Sequence, residues 1–94
     1  MTDLDMARRI AERARTVAGV ADLTAGPRGR IVTFQAGPPL GGVAVRPDAV
    51  EIGIVARPVR RLPDIAADVR AAALPLAGDR AVHVLVGDLA EEGT

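Results

Sequence analysis

The sequence predicts an α+β domain in which two helices cover one face of a small mixed or antiparallel sheet. Three observations carry this expectation. Apolar residues repeat at helical spacing over 4–18 and again over 65–76, the segments between and after them alternate with a period of two, and Gly or Pro marks the changes of period. The order that results is helix, about four strands, helix, strand. At 94 residues the chain makes one domain. A domain of this size buries only about 60 to 65% of its unfolded surface, so neither half is long enough to fold separately.

The first helix opens at Thr2, three residues before Asp5, the spacing of a capping box with Asp in place of Glu. Leu4, Ala7, Ile10, Ala11, Ala14, Val17 and Ala18 then share one face. The other face carries Arg8, Arg9, Glu12, Arg13 and Arg15 and reads as solvated, and Gly19 supplies the stop. Residues 20–24 form a short strand, and 25–30, dense in Gly and Pro, read as a hairpin turn into a second strand at 31–35. The β-branched and aromatic residues of that strand, Phe34 among them, suit a half-buried pleated surface.

Residues 36–42 break the pattern. Pro38 and Pro39 cannot donate to a ladder and the glycines loosen the chain, so a mobile loop is expected. A third strand at 43–46 turns through Pro47, Asp48 and Ala49 into a fourth at 50–56. In that fourth strand Val50, Ile52, Ile54 and Ala56 point toward the helices, and Glu51, Gly53 and Val55 point away. A basic bend at 57–61 leads to the second helix, where Pro63 fits the first turn and Asp64 and Asp68 complement the helix dipole. Pro75 limits that helix and Gly78 marks its exit. The last strand, 81–86, places Val82, Val84 and Val86 on one face and Ala81, His83 and Leu85 on the other, before an acidic tail at 91–94.

Composition excludes more than it assigns. Twelve acidic residues balance twelve basic ones, all Arg, so the field of a general polyanion binder is missing. Phe34 is the single aromatic residue, which disfavours single-stranded nucleic acid binding by base stacking. The absence of Cys removes disulfides, thiolate nucleophiles and Cys-based metal sites. The polar, acidic start is unlike a signal peptide, and no apolar run reaches membrane-span length, so a cytoplasmic protein without direct membrane insertion is expected. His83, Asp64 and Asp68 are the groups from which an enzyme would have to be built. None has a companion at catalytic or metal-ligand spacing, so neither catalytic activity nor a cofactor is expected.

Five segments carry a resemblance: 17–23, 41–45, 50–56, the junction Leu62-Pro63-Asp64-Ile65-Ala66, and 82–89. Together they resemble the alkaline shock protein family, from the first helix to Leu89. The resemblance implies a small non-enzymatic cytoplasmic protein of Gram-positive bacteria, linked to cell-envelope stress and in some members recruited to the membrane by an anchoring partner. It brings no catalytic residue. The chain lacks the extended charged C-terminal tail of longer members.

Function is therefore expected to lie in association, as a homo-oligomer or with a protein partner such as a membrane anchor. Val55 and Leu85, on the sheet face away from the helices, form an apolar candidate surface, and Arg57, Arg60 and Arg61 form a candidate contact for an acidic partner. The alternative is a KH-like RNA-binding module. Its Gly-x-x-Gly spacing occurs here at Gly26-Pro27-Arg28-Gly29, in a turn expected between strands, not helices.

Overall fold

A computed structural model describes residues 2–91, so the expected tail lies, beyond Glu91, outside the described residues. The fold is α+β. Helix α1 (Asp3–Arg15) is opened by the Thr2 capping box: the Asp5 N–H donates to Thr2 Oγ1 (3.1 Å) and the Thr2 N–H to Asp5 Oδ2 (3.4 Å). The Thr2 side chain, and then its backbone N–H, hold the Asp5 carboxyl below its usual range. The helix ends earlier than its apolar spacing suggests. The Thr16 hydroxyl donates to the Arg13 carbonyl (2.7 Å), and Ala18, expected on the apolar face, is exposed in the turn. Gly19 then takes φ +95°, and a Cβ there would stand 2.7 Å from Ile65 Cδ1, so glycine alone lets this turn pack on the second helix.

The strands are β1 (Val20–Leu23), β2 (Val32–Thr33), β3 (Leu40–Gly41), β4 (Val43–Val45), β5 (Ala49–Ala56) and β6 (Ala81–Leu89). Strand β5 is the centre. Both β1 and β4 pair antiparallel with the same edge of it: β4 takes Val50 to Ile52, and β1 takes Ile54 to Ala56. The opposite edge of β5 carries β6 in parallel, from Ala49↔Ala81 to Ala56↔Leu89, with an irregularity after Ile54↔Val86. Helix α2 (Leu62–Ala73), continued by a 3-10 turn at Leu74–Leu76, makes the crossover between these parallel strands. The sheet is thus mixed, and the 43–56 hairpin and the strand, bend and helix of 49–73 form as the periodicity predicts.

Two readings of the sequence are corrected. Residues 25–30 do not close a hairpin between β1 and β2. Instead β2 pairs with β3 in a separate two-stranded sheet, Val32↔Gly41 and Thr33↔Leu40, so part of the expected loop is strand. Phe34, expected on a half-buried strand, is 81% exposed. The physical reason lies at Gly53, between the stretches of β5 claimed by β1 and β4. Its carbonyl accepts from the Thr24 N–H (2.9 Å), and its own N–H donates to the Gly42 carbonyl (2.9 Å). The chain leaves the sheet at Thr24, crosses the face away from the helices, and returns at Gly42. A Cβ on Gly53 would collide with the Thr24 carbonyl oxygen, and one on Gly87 would stand 2.9 Å from Thr24 Cγ2.

The core sits between the sheet and the helices. Ile10 of α1, Val43 of β4, Val50, Ile52 and Ile54 of β5, and Ile65 and Val69 of α2 are fully buried. These are the aliphatic positions that the helical and strand periods select. The core is dry of polar groups: no buried polar or charged residue occurs among the described residues.

Candidate interaction surface

The two edges of the main sheet differ in kind. On one, β1 is four residues long, carries Asp22 and is irregular between Val20 and Asp22. Beside it, β4 is covered by the β2–β3 hairpin, where Thr33 Oγ1 donates to the Val43 carbonyl (2.7 Å) and the Gly42 N–H donates to the Ile31 carbonyl (2.7 Å). These devices close an edge to further pairing. The other edge is β6, nine residues with no Pro, and uncharged from Ala81 to Gly87. No described strand pairs with its outer side.

Which groups β6 presents follows from strand geometry. Successive residues alternate sides, and the Ala81 N–H is spent on the Asp48 carbonyl (3.1 Å), so the backbone groups of Val82, Val84 and Val86 face outward. A second contact agrees: Arg70 Nε of α2 donates to the Val82 carbonyl (3.2 Å). Beside this edge runs an open groove of about 410 Å³, with Pro63, Ala66, Ala67 and Arg70 of α2 on one wall and Val82 to Val84 on the other. Its helix wall is mostly small side chains, which leave room for another backbone.

Leu85 and Val55 occupy the sheet face away from the helices, as their alternation predicts. That face is less bare than expected. Ile31 is buried against Gly53, so the 24–31 crossing covers much of it. Val55 is half-buried, Leu85 remains 43% exposed, and Leu85 lines a cavity of about 180 Å³ with Ile31, Pro27, Arg28 and Arg30. Leu89, 48% exposed at the end of β6, is a further exposed apolar residue because β6 runs three residues past the expected end at Val86. Its pairing with Ala56 puts it on the helix side of the sheet, opposite to Leu85.

The basic bend divides. Arg60 is a brace: its guanidinium donates to the Ala18 carbonyl (2.7 Å) and to Asp68 Oδ2 (2.6 Å), tying the turn after α1 to α2. Its charge is consumed within the fold. Arg57 and Arg61 are exposed, and neither side chain makes a hydrogen bond or ion pair among the described residues. Phe34 stands over a groove with Arg30, Val32 and Arg46, and Arg46 is itself paired with Glu51.

The titratable groups do not converge. His83 shares the outer sheet face with Leu85, whereas Asp68 is engaged by Arg60 and Asp64 lies on the exposed side of α2. No cluster of three His, Cys, Asp or Glu able to hold a metal occurs among the described residues. Gly26 to Gly29 lies between β1 and β2, with no helix on either side, and one α-helix joins β5 to β6. No described helix is long and apolar enough to cross a membrane. Comparison with protein-family profiles, with curated proteins and with solved structures gives no match for this chain.

Proposed function

We propose that the chain is a non-enzymatic interaction module that works by association, with β6 and its neighbouring apolar side chains as the docking element. One observation carries the reading: a nine-residue strand whose outer side pairs with no described strand carries two exposed leucines, Leu85 at its middle and Leu89 at its end. Such an edge is a template for another strand, and soluble domains ordinarily shorten, charge or cover it. The other edge of this sheet is protected in these ways. Arg57 and Arg61 add a peripheral cationic contact suited to an acidic partner.

The resemblance to alkaline shock proteins supplies the cellular context of this proposal, a role in the response to cell-envelope stress, with self-association or a membrane-anchoring protein as the means of recruitment. The test compares wild-type and Leu85→Glu proteins in sedimentation at micromolar concentration and in pull-downs from native cells. Loss of self-association, or of a specific bound protein, on Leu85→Glu is the expected result. A wild-type chain that sediments as a monomer and retains no protein that Leu85→Glu releases would remove the reading.

A further inference from the structure

The open edge specifies its occupant more closely than an apolar surface would. It offers N–H and C=O groups at Val82, Val84 and Val86 in sequence, and only an extended backbone can satisfy such a row. We infer that this backbone is β6 of a second copy, paired antiparallel about a two-fold axis at Val84. The inference rests on the interaction reading above and commits it to a homodimer.

Self-complementarity is the argument. A two-fold interface must satisfy itself, with each residue meeting its counterpart reciprocally. With Val84 opposite Val84 of the second copy, Val82 faces Val86 and Val86 faces Val82, which gives about six hydrogen bonds. The Val82 carbonyl accepts the incoming Val86 N–H on its second lone pair, beside Arg70 or after Arg70 turns away. A register shifted by two residues either way leaves one outward residue of each strand unmatched. The same register sets valine against valine on the helix side, and His83 against Leu85 of the second copy on the other. No like charges meet, because β6 has none from Ala81 to Gly87.

The helices permit the approach. Continuing the sheet across the axis brings the groove wall of α2 toward its counterpart, and that wall carries Pro63, Ala66 and Ala67. Its one long side chain, Arg70, is drawn back onto the Val82 carbonyl. The closed edge at β1 and β4 stops growth on the other side, so the pairing ends at two copies and does not propagate as a filament through sheet edges.

Cysteine crosslinking reads the register directly, since the chain has no native Cys. His83 and Leu85 of opposite copies would form a non-hydrogen-bonded pair with Cα atoms about 4.5 Å apart, within disulfide reach. Under mild oxidation an equimolar mixture of His83→Cys and Leu85→Cys proteins is expected to crosslink at least about tenfold faster than either variant alone, whose like positions lie diagonally at about 7–8 Å. Val84→Pro removes an outward N–H while leaving the ladder to β5 intact, and is expected to raise the dimer dissociation constant at least about tenfold in sedimentation. If circular dichroism shows Val84→Pro unfolded, Ala67→Arg, on the exposed groove wall, takes its place with the same expectation.

Wild-type protein that stays monomeric to about 100 μM overturns the homodimer. If such a monomer still retains a protein that Leu85→Glu releases, the interaction reading stands while the second copy falls. A dimer that crosslinks no faster in the mixture, or is unaffected by a folded Val84→Pro or Ala67→Arg variant, pairs elsewhere and also overturns it.

Discussion

Gly53→Ala is the sharpest test of how this chain is threaded. The added methyl meets the Thr24 carbonyl oxygen, a backbone atom anchored by the Thr24 N–H to the Gly53 carbonyl bond (2.9 Å), and Ile31 Cδ1 at 3.2 Å. Ile31 can rotate, but the Thr24 peptide cannot move without leaving β5. Overpacking of this kind costs about 1–3 kcal/mol, and weakening the flanking hydrogen bonds adds about 1 kcal/mol. We therefore expect a loss of about 3 kcal/mol. For a domain of this size each kcal/mol moves the melting temperature by about 4–8 °C, so Tm should fall by about 12–24 °C. The matched control is Gly41→Ala, where the nearest atoms to the new methyl are Ala25 Cβ at 3.9 Å and the Ala25 nitrogen at 4.0 Å. That variant should be neutral, or more stable by about 0.5 kcal/mol through the unfolded chain. Thermal melts and urea titrations of both variants decide the matter. If Gly53→Ala melts with wild type and Gly41→Ala, the chain does not cross β5 at Thr24 and the account of the outer sheet face is wrong.

Four further expectations follow from single contacts. Thr2→Ala should cost about 1 kcal/mol in chemical denaturation by removing the capping acceptor of α1. Because the folded Asp5 pKa lies below its unfolded value of 3.8, its contribution is present above that value and is lost as pH falls through the folded pKa. Melts from pH 5 down to 2 should therefore lose less stability in Asp5→Asn than in wild type. Arg60→Met should destabilise by up to about 1 kcal/mol, since its partner Asp68 is largely solvated, whereas Arg57→Ala and Arg61→Ala should melt with wild type. Ile52→Ala, at a fully buried position of the central strand, should cost about 2–5 kcal/mol in urea unfolding; a value below 1 would show that β5 is not the centre of the core.

Period and punctuation determined much of this protein before any tertiary contact is considered. The capping box at Thr2, the stripe through Ala7, Ile10, Ala11 and Ala14, the inward set Val50, Ile52, Ile54 and Ala56, and the Pro63 start of α2 are local features. Each lies in its expected element because backbone geometry converts residue spacing into a face. The placement of Leu85 on the outer sheet face was legible in the same way. Pairing partners were not. Nothing in the composition of 25–30 distinguishes a hairpin turn from a crossing over the sheet, because the difference is made at Gly53 and Gly87, more than 20 residues away along the chain. Arg60 looked like its neighbours Arg57 and Arg61 until the Ala18 carbonyl and Asp68 were brought beside it. Whether β6 is covered or open likewise depends on strand order, a property of the whole sheet. Spacing determined which side of each element is apolar; only the tertiary structure decided which of those sides and edges the chain itself covers, since that requires contacts between residues far apart in sequence.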